Sequence, residues 1–310
     1  MGSKWTAADI PDQTGRTAVV TGANSGLGLV TAQELARAGA HVVVACRDLT
    51  KGSAAVSTIR SAVPDASLSL ERLDLADLLS VREFAEVMAK EHDGLDLLIN
   101  NAGIMAVPKG TTADGFESQF GTNHLGHFAL TGRLAEMLSA RPGSRVVTVS
   151  SGMHRIGRIR FDDLQSTRRY QNWLAYGQSK LANLLFAFEL DRRAPFGSYA
   201  SHPGYANTNL QNAVTQATGS KLVERAVSLF TRTFAQSMEM GALPSLYAAT
   251  YPGLPGGSFI GPDNFFEQRG HPTIVRARKP AYNEADARRL WEVSEELTNV
   301  TFPFTGAENK

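Results

Sequence analysis

Between a short β-branched run, residues 17–20, and an amphipathic stretch, residues 25–38, lies Thr21-Gly22-Ala23-Asn24-Ser25-Gly26-Leu27-Gly28. Glycines at such a junction permit a tight turn and close approach of the backbone to a ligand, while the first N–H groups of the helix point outward. A strand, a glycine turn and a helix in that order begin an α/β unit, which limits what can follow. The spacing is Gly-x-x-x-Gly-x-Gly, not Gly-x-Gly-x-x-Gly, and no Lys-Ser/Thr follows the last glycine as a nucleoside-triphosphatase loop requires. A pyrophosphate seated at the helix N-terminus fits this turn. Its candidate contacts are Gly22, Asn24, Ser25, Gly26, Leu27 and Gly28.

The alternation continues along the chain. Strands are expected at 41–45, 68–73, 95–99, 145–149, 198–201 and 258–260, and helices at 51–63, 76–92, 112–139, 175–190, 240–250 and 280–297. The second strand, His41-Val42-Val43-Val44-Ala45, is apolar enough to be buried on both faces, as in a parallel sheet covered by helices on both sides. No repeat or Pro/Gly-rich linker divides the 310 residues, so one domain over 1–310 is expected. Two irregular stretches interrupt the pattern. Residues 152–174 carry five arginines with Asp162 and Asp163, and read as a solvated loop at the rim of a substrate site. Residues 205–238 place Leu222, Val227, Leu229, Phe230 and Phe234 at helical spacing, which suits a substrate lid and a packed core helix equally. Residues 266–310 form an extension packed on the domain, with Leu290, Val293 and Leu297 as its buried stripe.

A net charge of +1 gives no reason to expect nucleic acid or an acidic surface as partner. The single cysteine, Cys46, excludes an internal disulfide. No apolar run approaches the roughly 18 residues of a membrane span, and no signal-peptide core is present. A cytoplasmic protein without a membrane anchor is expected.

Six further stations carry polar groups to strand ends and helix faces. Strand two ends Ala45-Cys46-Arg47, with a guanidinium where NAD-binding folds place a carboxylate for the ribose hydroxyls. Arg47 suits a 2′-phosphate and favours NADP(H), although Asp48 lies next to it. Asp74-Leu75 follows strand three, where the carboxylate suits an adenine amino group or a helix cap. Asn100-Asn101-Ala102-Gly103 follows strand four, at the carboxyl edge where such sheets bind ligands. Asn123 falls in phase with Phe116, Phe120 and His127, and an asparagine there suits a core amide or a water relay. Ser150 and Ser151 close strand five. Tyr176 and Lys180 lie one helical turn apart on a common face, and the ammonium should lower a phenol pKa of about 10.

With these stations the chain resembles the short-chain dehydrogenase/reductase family over about residues 14–265, and within it the retinol dehydrogenase and WW-domain oxidoreductase branch. Ala45-Cys46-Arg47-Asp48, Asn123-His124-Leu125-Gly126-His127-Phe128, the long 152–174 loop and His202-Pro203-Gly204 carry the closer likeness. The resemblance implies a Rossmann-type doubly wound fold of about seven mainly parallel strands in the order 3-2-1-4-5-6-7. It implies a tetrad of Asn123, Ser151, Tyr176 and Lys180, with Ser151 chosen because it precedes Tyr176 by 25 residues. It also implies cofactor contacts from Arg47, Asp74, Leu75, Asn101, Ala102, Gly103, Tyr176, Lys180, Pro203, Gly204 and Thr208. Vertebrate members of that branch carry an N-terminal membrane anchor that this sequence does not show.

The expected activity is NADP(H)-dependent interconversion of a carbonyl and an alcohol on a lipophilic small molecule. Two other functions fit parts of the pattern. A cofactor-sensing regulator on the same fold usually lacks the Tyr or Lys retained here. A light-dependent protochlorophyllide reductase shares Tyr-x-x-x-Lys but surrounds its pigment with several cysteines. The family often assembles as homodimers or homotetramers through its two long helices, here 112–139 and 175–193. Leu181, Leu184, Leu185 and Phe188 suit such an interface and the interior of one chain equally well.

Overall fold

The computed structural model describes residues 4–204, 236–264 and 266–304. Its centre is one eight-stranded sheet in the order β3-β2-β1-β4-β5-β6-β7-β8. The strands are β1 (Thr17–Thr21), β2 (His41–Cys46), β3 (Leu68–Arg72), β4 (Leu97–Asn100), β5 (Arg145–Val149), β6 (Gly197–Ser201), β7 (Phe259–Asn264) and β8 (Arg269–Ile274). All neighbouring pairs are parallel except β7 and β8. The order reverses between β1 and β4, which opens a crevice at their carboxyl ends where open sheets of this kind bind ligands.

The first seven strands match the expected order, and β8 is an addition to it. Its sequence, Arg-Gly-His-Pro-Thr-Ile, carries no apolar alternation, and Pro272 pairs with Pro262 of β7. Proline donates nothing to a ladder, so it is tolerated here because β8 is the sheet edge. Strand β4 starts two residues later than expected. Asp96 still bonds both neighbouring strands through its backbone, to the Thr17 carbonyl at 3.0 Å and from the Arg145 N–H at 2.8 Å, while its side chain accepts the Thr17 N–H at 2.9 Å.

Helices α1 (Gly26–Arg37), α2 (Leu49–Ala62) and α3 (Leu78–Glu91) follow the expected stretches within two residues or so at most ends. The expected helix over 112–139 does not form in one piece. Residues 112–117 make a reverse turn closed by a bridge between Thr111 and Glu117, with Gly115 at φ 84°. The Glu117 carboxylate then accepts the N–H groups of Gln119 and Phe120 at 2.8 and 2.7 Å, which starts the helix at Ser118. This helix, α4, consists of Ser118–Phe120, a π-helical turn Gly121–Leu125 and Gly126–Arg133, and a short α5 (Ala135–Ser139) follows. In the π turn the Gly126 N–H reaches five residues back to the Gly121 carbonyl. Such widened turns insert one residue into a helix and occur often at functional sites. Asn123 is its middle residue.

The long helix α6 (Asn172–Arg193) lies beside α4 and is buried from Ala175 to Leu190. Leu181, Leu184, Leu185 and Phe188 lie in the interior of this one chain. Helix α7 (Met238–Thr250) packs on the opposite face, with Leu243, Leu246 and Ala249 against the inner strands. The last helix, α8 (Glu284–Thr298), covers α6 and α4. Its buried residues include Leu290, Trp291 and Ser294, whereas Val293 and Leu297 are only partly covered, so the face is rotated from the expected stripe. Trp291 meets Phe128 at 5.2 Å and Phe302 at 4.4 Å between ring centroids. Each such aromatic pair adds roughly 0.5–1.5 kcal/mol beyond its buried area. Ser294 Oγ is 2.9 Å from His124 Nε2, one residue from Asn123. No helix among the described residues is long and apolar enough to cross a membrane.

Candidate active site

The carboxyl ends of β1, β4 and β5 bring most of the sequence-selected residues together. At β1, Gly22 adopts φ 65° and Gly26 φ 57°, values that favour glycine. A Cβ on Gly28 would stand 2.5 Å from both the Gly22 carbonyl oxygen and Asn101 Nδ2, and one on Gly22 would stand 3.0 Å from the Ala102 Cβ. The turn therefore folds onto Asn101-Ala102 with no room for a side chain. Asn101 Nδ2 donates to the Thr21 carbonyl at 2.8 Å, and the N–H groups of Asn101 and Ala102 both reach Thr21 Oγ1 at 2.9 Å. Ser25 precedes α1 without a side-chain bond to the helix, and Asn24 is half-buried beside it. The first turn of α1 is left as an anion seat.

At the tip of β2, Arg47 and Asp48 take different surroundings. Asp48 is the N-cap of α2, accepting from Thr50 N and Lys51 N at 3.1 Å each. Its carboxylate is occupied, whereas the Arg47 guanidinium is largely exposed and lies 3.9 Å from Asp74. Asp74 Oδ1 accepts the Ala76 N–H at 3.0 Å, and the N-cap of α3 is Asp77 instead. The Leu75 side chain faces the core, and its carbonyl lies where a Cβ on Gly126 would be 2.3 Å away.

Asn123 turns toward the segment after β4. Its Oδ1 accepts the Ile104 N–H at 2.8 Å, and its Nδ2 donates to the Ile104 carbonyl at 2.9 Å and to Ser179 Oγ at 3.0 Å. Ser179 Oγ in turn donates to the Tyr176 carbonyl at 2.8 Å. The amide is thus a satisfied core group, with both donors spent. A Cβ on Gly103 would lie 3.1 Å from Asn123 Oδ1 and 3.5 Å from Lys180 Nζ, so Gly103 marks where these two groups converge.

The two serines after β5 separate cleanly. Ser150 Oγ donates to the Lys180 carbonyl at 2.8 Å and is buried. Ser151 is the one that lies beside the Tyr176 phenol, and its Oγ accepts the Met153 N–H at 3.2 Å. Lys180 Nζ donates to the Val149 carbonyl at 3.0 Å and lies 5.7 Å from the centre of the Tyr176 ring. Proximity does not lower the phenol as expected. Burial pushes Tyr176 up to about 12, opposed only by the Ser151 bond, and burial pulls Lys180 down to about 8. Desolvation of both groups outweighs their attraction.

His202-Pro203-Gly204 leaves β6 beside this cluster. Gly204 has φ 64°, and a Cβ there would be 2.4 Å from the Gln268 carbonyl oxygen. Gln236 donates to the Pro203 carbonyl at 2.6 Å and accepts from Gly270 at 3.1 Å. Glu267 lies 3.4 Å from His202 Nε2 and 2.9 Å from Arg155, and His202 and Arg155 together hold its carboxyl below the usual range. Gln236 and Glu267 went unnoticed in the sequence because neither sits in a motif. Thr208 and residues 205–235 of the expected lid lie outside the described residues.

Residues 16–218 match the family model of the short chain dehydrogenases. The chain belongs to the short-chain dehydrogenase/reductase family. It is 43% identical over 289 residues to retinol dehydrogenase 12 of Mus musculus, a match covering 92% of this chain and 87% of that one. The crystal structure of an uncharacterised protein from Mycobacterium paratuberculosis is 47% identical, with a TM-score of 0.80 over 97% of this chain and 100% of its own. A structure from Beutenbergia cavernae described as an NAD(P)-dependent gluconate 5-dehydrogenase, with NADP bound at low occupancy, is 27% identical with a TM-score of 0.62, covering 80% of this chain and 95% of that one. This short-chain dehydrogenase/reductase is therefore an oxidoreductase of a nicotinamide-using family. Its glycine cradle, uncapped helix and exposed Arg47 fit a dinucleotide. Replacing Gly28 by Ala should weaken NADPH binding at least about tenfold, because the added methyl drives Gly22 off Asn101. Titration of NADPH fluorescence checks this, and wild-type affinity would show that the cradle is not where the cofactor binds.

Proposed function

We propose that the protein interconverts a lipophilic aldehyde or ketone and its alcohol, using NADP(H) in preference to NAD(H). The observation that carries this reading is the meeting of the Tyr176 phenol with Ser151 and, across its ring, Lys180, beside a cradle shaped for a dinucleotide. When bound, the nicotinamide supplies the hydride. Gly22, Asn24, Ser25, Gly26, Leu27 and Gly28 would hold the pyrophosphate, and Asn101, Ala102, Gly103, Pro203 and Gly204 would line the remainder. Asp74 and Leu75 would flank the adenine.

At neutral pH Tyr176 keeps its proton and Lys180 its charge, the pair of states that reduction needs. Tyr176 gives its proton to the developing alkoxide while Ser151 donates a hydrogen bond to the same oxygen. Pre-aimed donors of this kind are worth roughly 10²–10³ in rate each. Lys180 has three ammonium protons and spends one on Val149, so two remain for the ribose and for stabilising tyrosinate. Asn123 fixes Ile104 with both ends of its amide, and only the second lone pair of its Oδ1 is left to hold a relay water.

Relatives named as retinol dehydrogenases make retinal the natural first probe. Reduction of retinal and a panel of lipophilic ketones, followed with NADPH and NADH, tests the proposal. NADPH binding without turnover of any of them would point to a sensor instead. Preference for NADPH should exceed about tenfold in kcat/KM. Arg47→Gln should lower kcat/KM for NADPH by about tenfold, the cost of one charge-assisted hydrogen bond, with NADH within about twofold of wild type. Equal loss with both cofactors would remove Arg47 from 2′-phosphate recognition.

A further inference from the structure

We infer that His127 is a positioning residue that joins the cofactor cradle to the Asn123 turn through one fixed tautomer. The inference rests on the proposed nicotinamide-dependent function. His127 is buried on α4, with Nδ1 3.0 Å from the Asn123 carbonyl oxygen and Nε2 2.9 Å from Thr21 Oγ1. A carbonyl only accepts, so Nδ1 carries the ring proton. The neutral ring then offers Nε2 as an acceptor, and the Thr21 hydroxyl donates to it. That is the shorter of the two bonds open to this hydroxyl, the other being 3.3 Å to the Ile99 carbonyl. The Thr21 oxygen is left to accept the N–H groups of Asn101 and Ala102.

Donors and acceptors then run in one consistent sense. Asn101 and Ala102 donate to Thr21, Thr21 to His127, and His127 to the Asn123 carbonyl. From the Asn123 amide the path continues through Ser179 to the Tyr176 carbonyl. One end of this path is the strand that bears the glycine turn, and the other is the helix that bears Tyr176 and Lys180. The ring lies within electrostatic reach of His124 and Lys180, and burial holds it neutral, with a pKa of about 4. No side chain but histidine places a donor and an acceptor at these two separations on one rigid plane.

Three substitutions separate this role from simple packing. H127F keeps a planar ring and loses both bonds. H127Q retains reach to Thr21, and H127N retains a donor near the Asn123 carbonyl. H127F should weaken NADPH binding about tenfold and lower kcat for retinal at least about tenfold, with KM for retinal within about threefold. H127Q should restore NADPH affinity but not kcat, and H127N kcat but not affinity. Equal losses in all three, or wild-type values in H127F, would overturn the inference. Ring ¹⁵N signals of the wild-type protein decide it independently of turnover and of variant folding. They should show a protonated Nδ1 and a bare Nε2 from pH 5 to 8, and the opposite tautomer or a charged ring would overturn it. Wild-type protein that binds NADPH yet reduces no carbonyl would refute the proposed function, and the affinity and ¹⁵N results would still judge His127.

Discussion

Tyr176→Phe should lower the reduction rate by roughly 10³-fold or more while NADPH affinity stays within about threefold. The phenol lies beside Ser151 and carries its proton at neutral pH, since burial keeps it protonated to about 12. Its ring would remain, so the edge contact with Trp173 and the packing of α6 would persist. General acid catalysis alone accounts for roughly 10²–10⁴ in rate. Stopped-flow reduction of retinal with NADPH, beside a binding titration, separates the two effects. A variant that reduces retinal at near wild-type rate would mean that another group supplies the proton. Equal loss of NADPH affinity would mean that the phenol anchors the cofactor.

The protein should also lose stability steeply between pH 6.5 and pH 5. Burial lowers His124 to about 3, and His127 and His154 to about 4, from 6.5 in the unfolded chain. A depressed pKa in the fold means that the unfolded chain binds the extra protons. The stabilisation is therefore complete above 6.5 and is lost as pH falls toward 4. Each group contributes at most about 1.4 kcal/mol per pH unit in that window, so the three together remove up to roughly 4 kcal/mol per unit. Against a typical total of about 5–15 kcal/mol, that is a large share. Glu117, raised by burial, opposes the trend, because the fold binds its proton more readily than the unfolded chain does. Urea midpoints at pH 7.5 and 5 check the expectation. Equal midpoints would show that these rings take up protons inside the fold.

The sheet order and glycine turn were legible because strand burial and backbone approach leave direct marks on residue type. Five valines in Ala18–Val20 and Val42–Val44 need no tertiary information to be read as inner strands. The start of α4 was not legible. Phe116 and Phe120 keep helical phase across a true turn, and its cap is Glu117 rather than a serine, threonine, aspartate or asparagine. Strand β8 escaped because a proline-bearing edge strand has no periodic burial to display. That Asp48 caps α2 while Arg47 stays exposed was not legible either, because two adjacent residues at a strand tip do not show which one the next helix takes. Spacing places Tyr176 and Lys180 on one helical face, but the expected lowering of the phenol gives way to a rise through burial. Sequence spacing reveals that an ammonium lies near a phenol, and only depth tells which force on the proton is larger.

Helix α8 gives the order of synthesis a physical meaning. Every residue of the Tyr176 cluster has left the ribosome before Glu284 is made, yet the outer face of α6 and the ring of His124 remain without their cover until then. A nascent or truncated chain ending near residue 283 would carry the complete set of reactive groups on an unsealed greasy helix. Chaperone capture of that species, rather than its chemistry, would govern its lifetime in the cell.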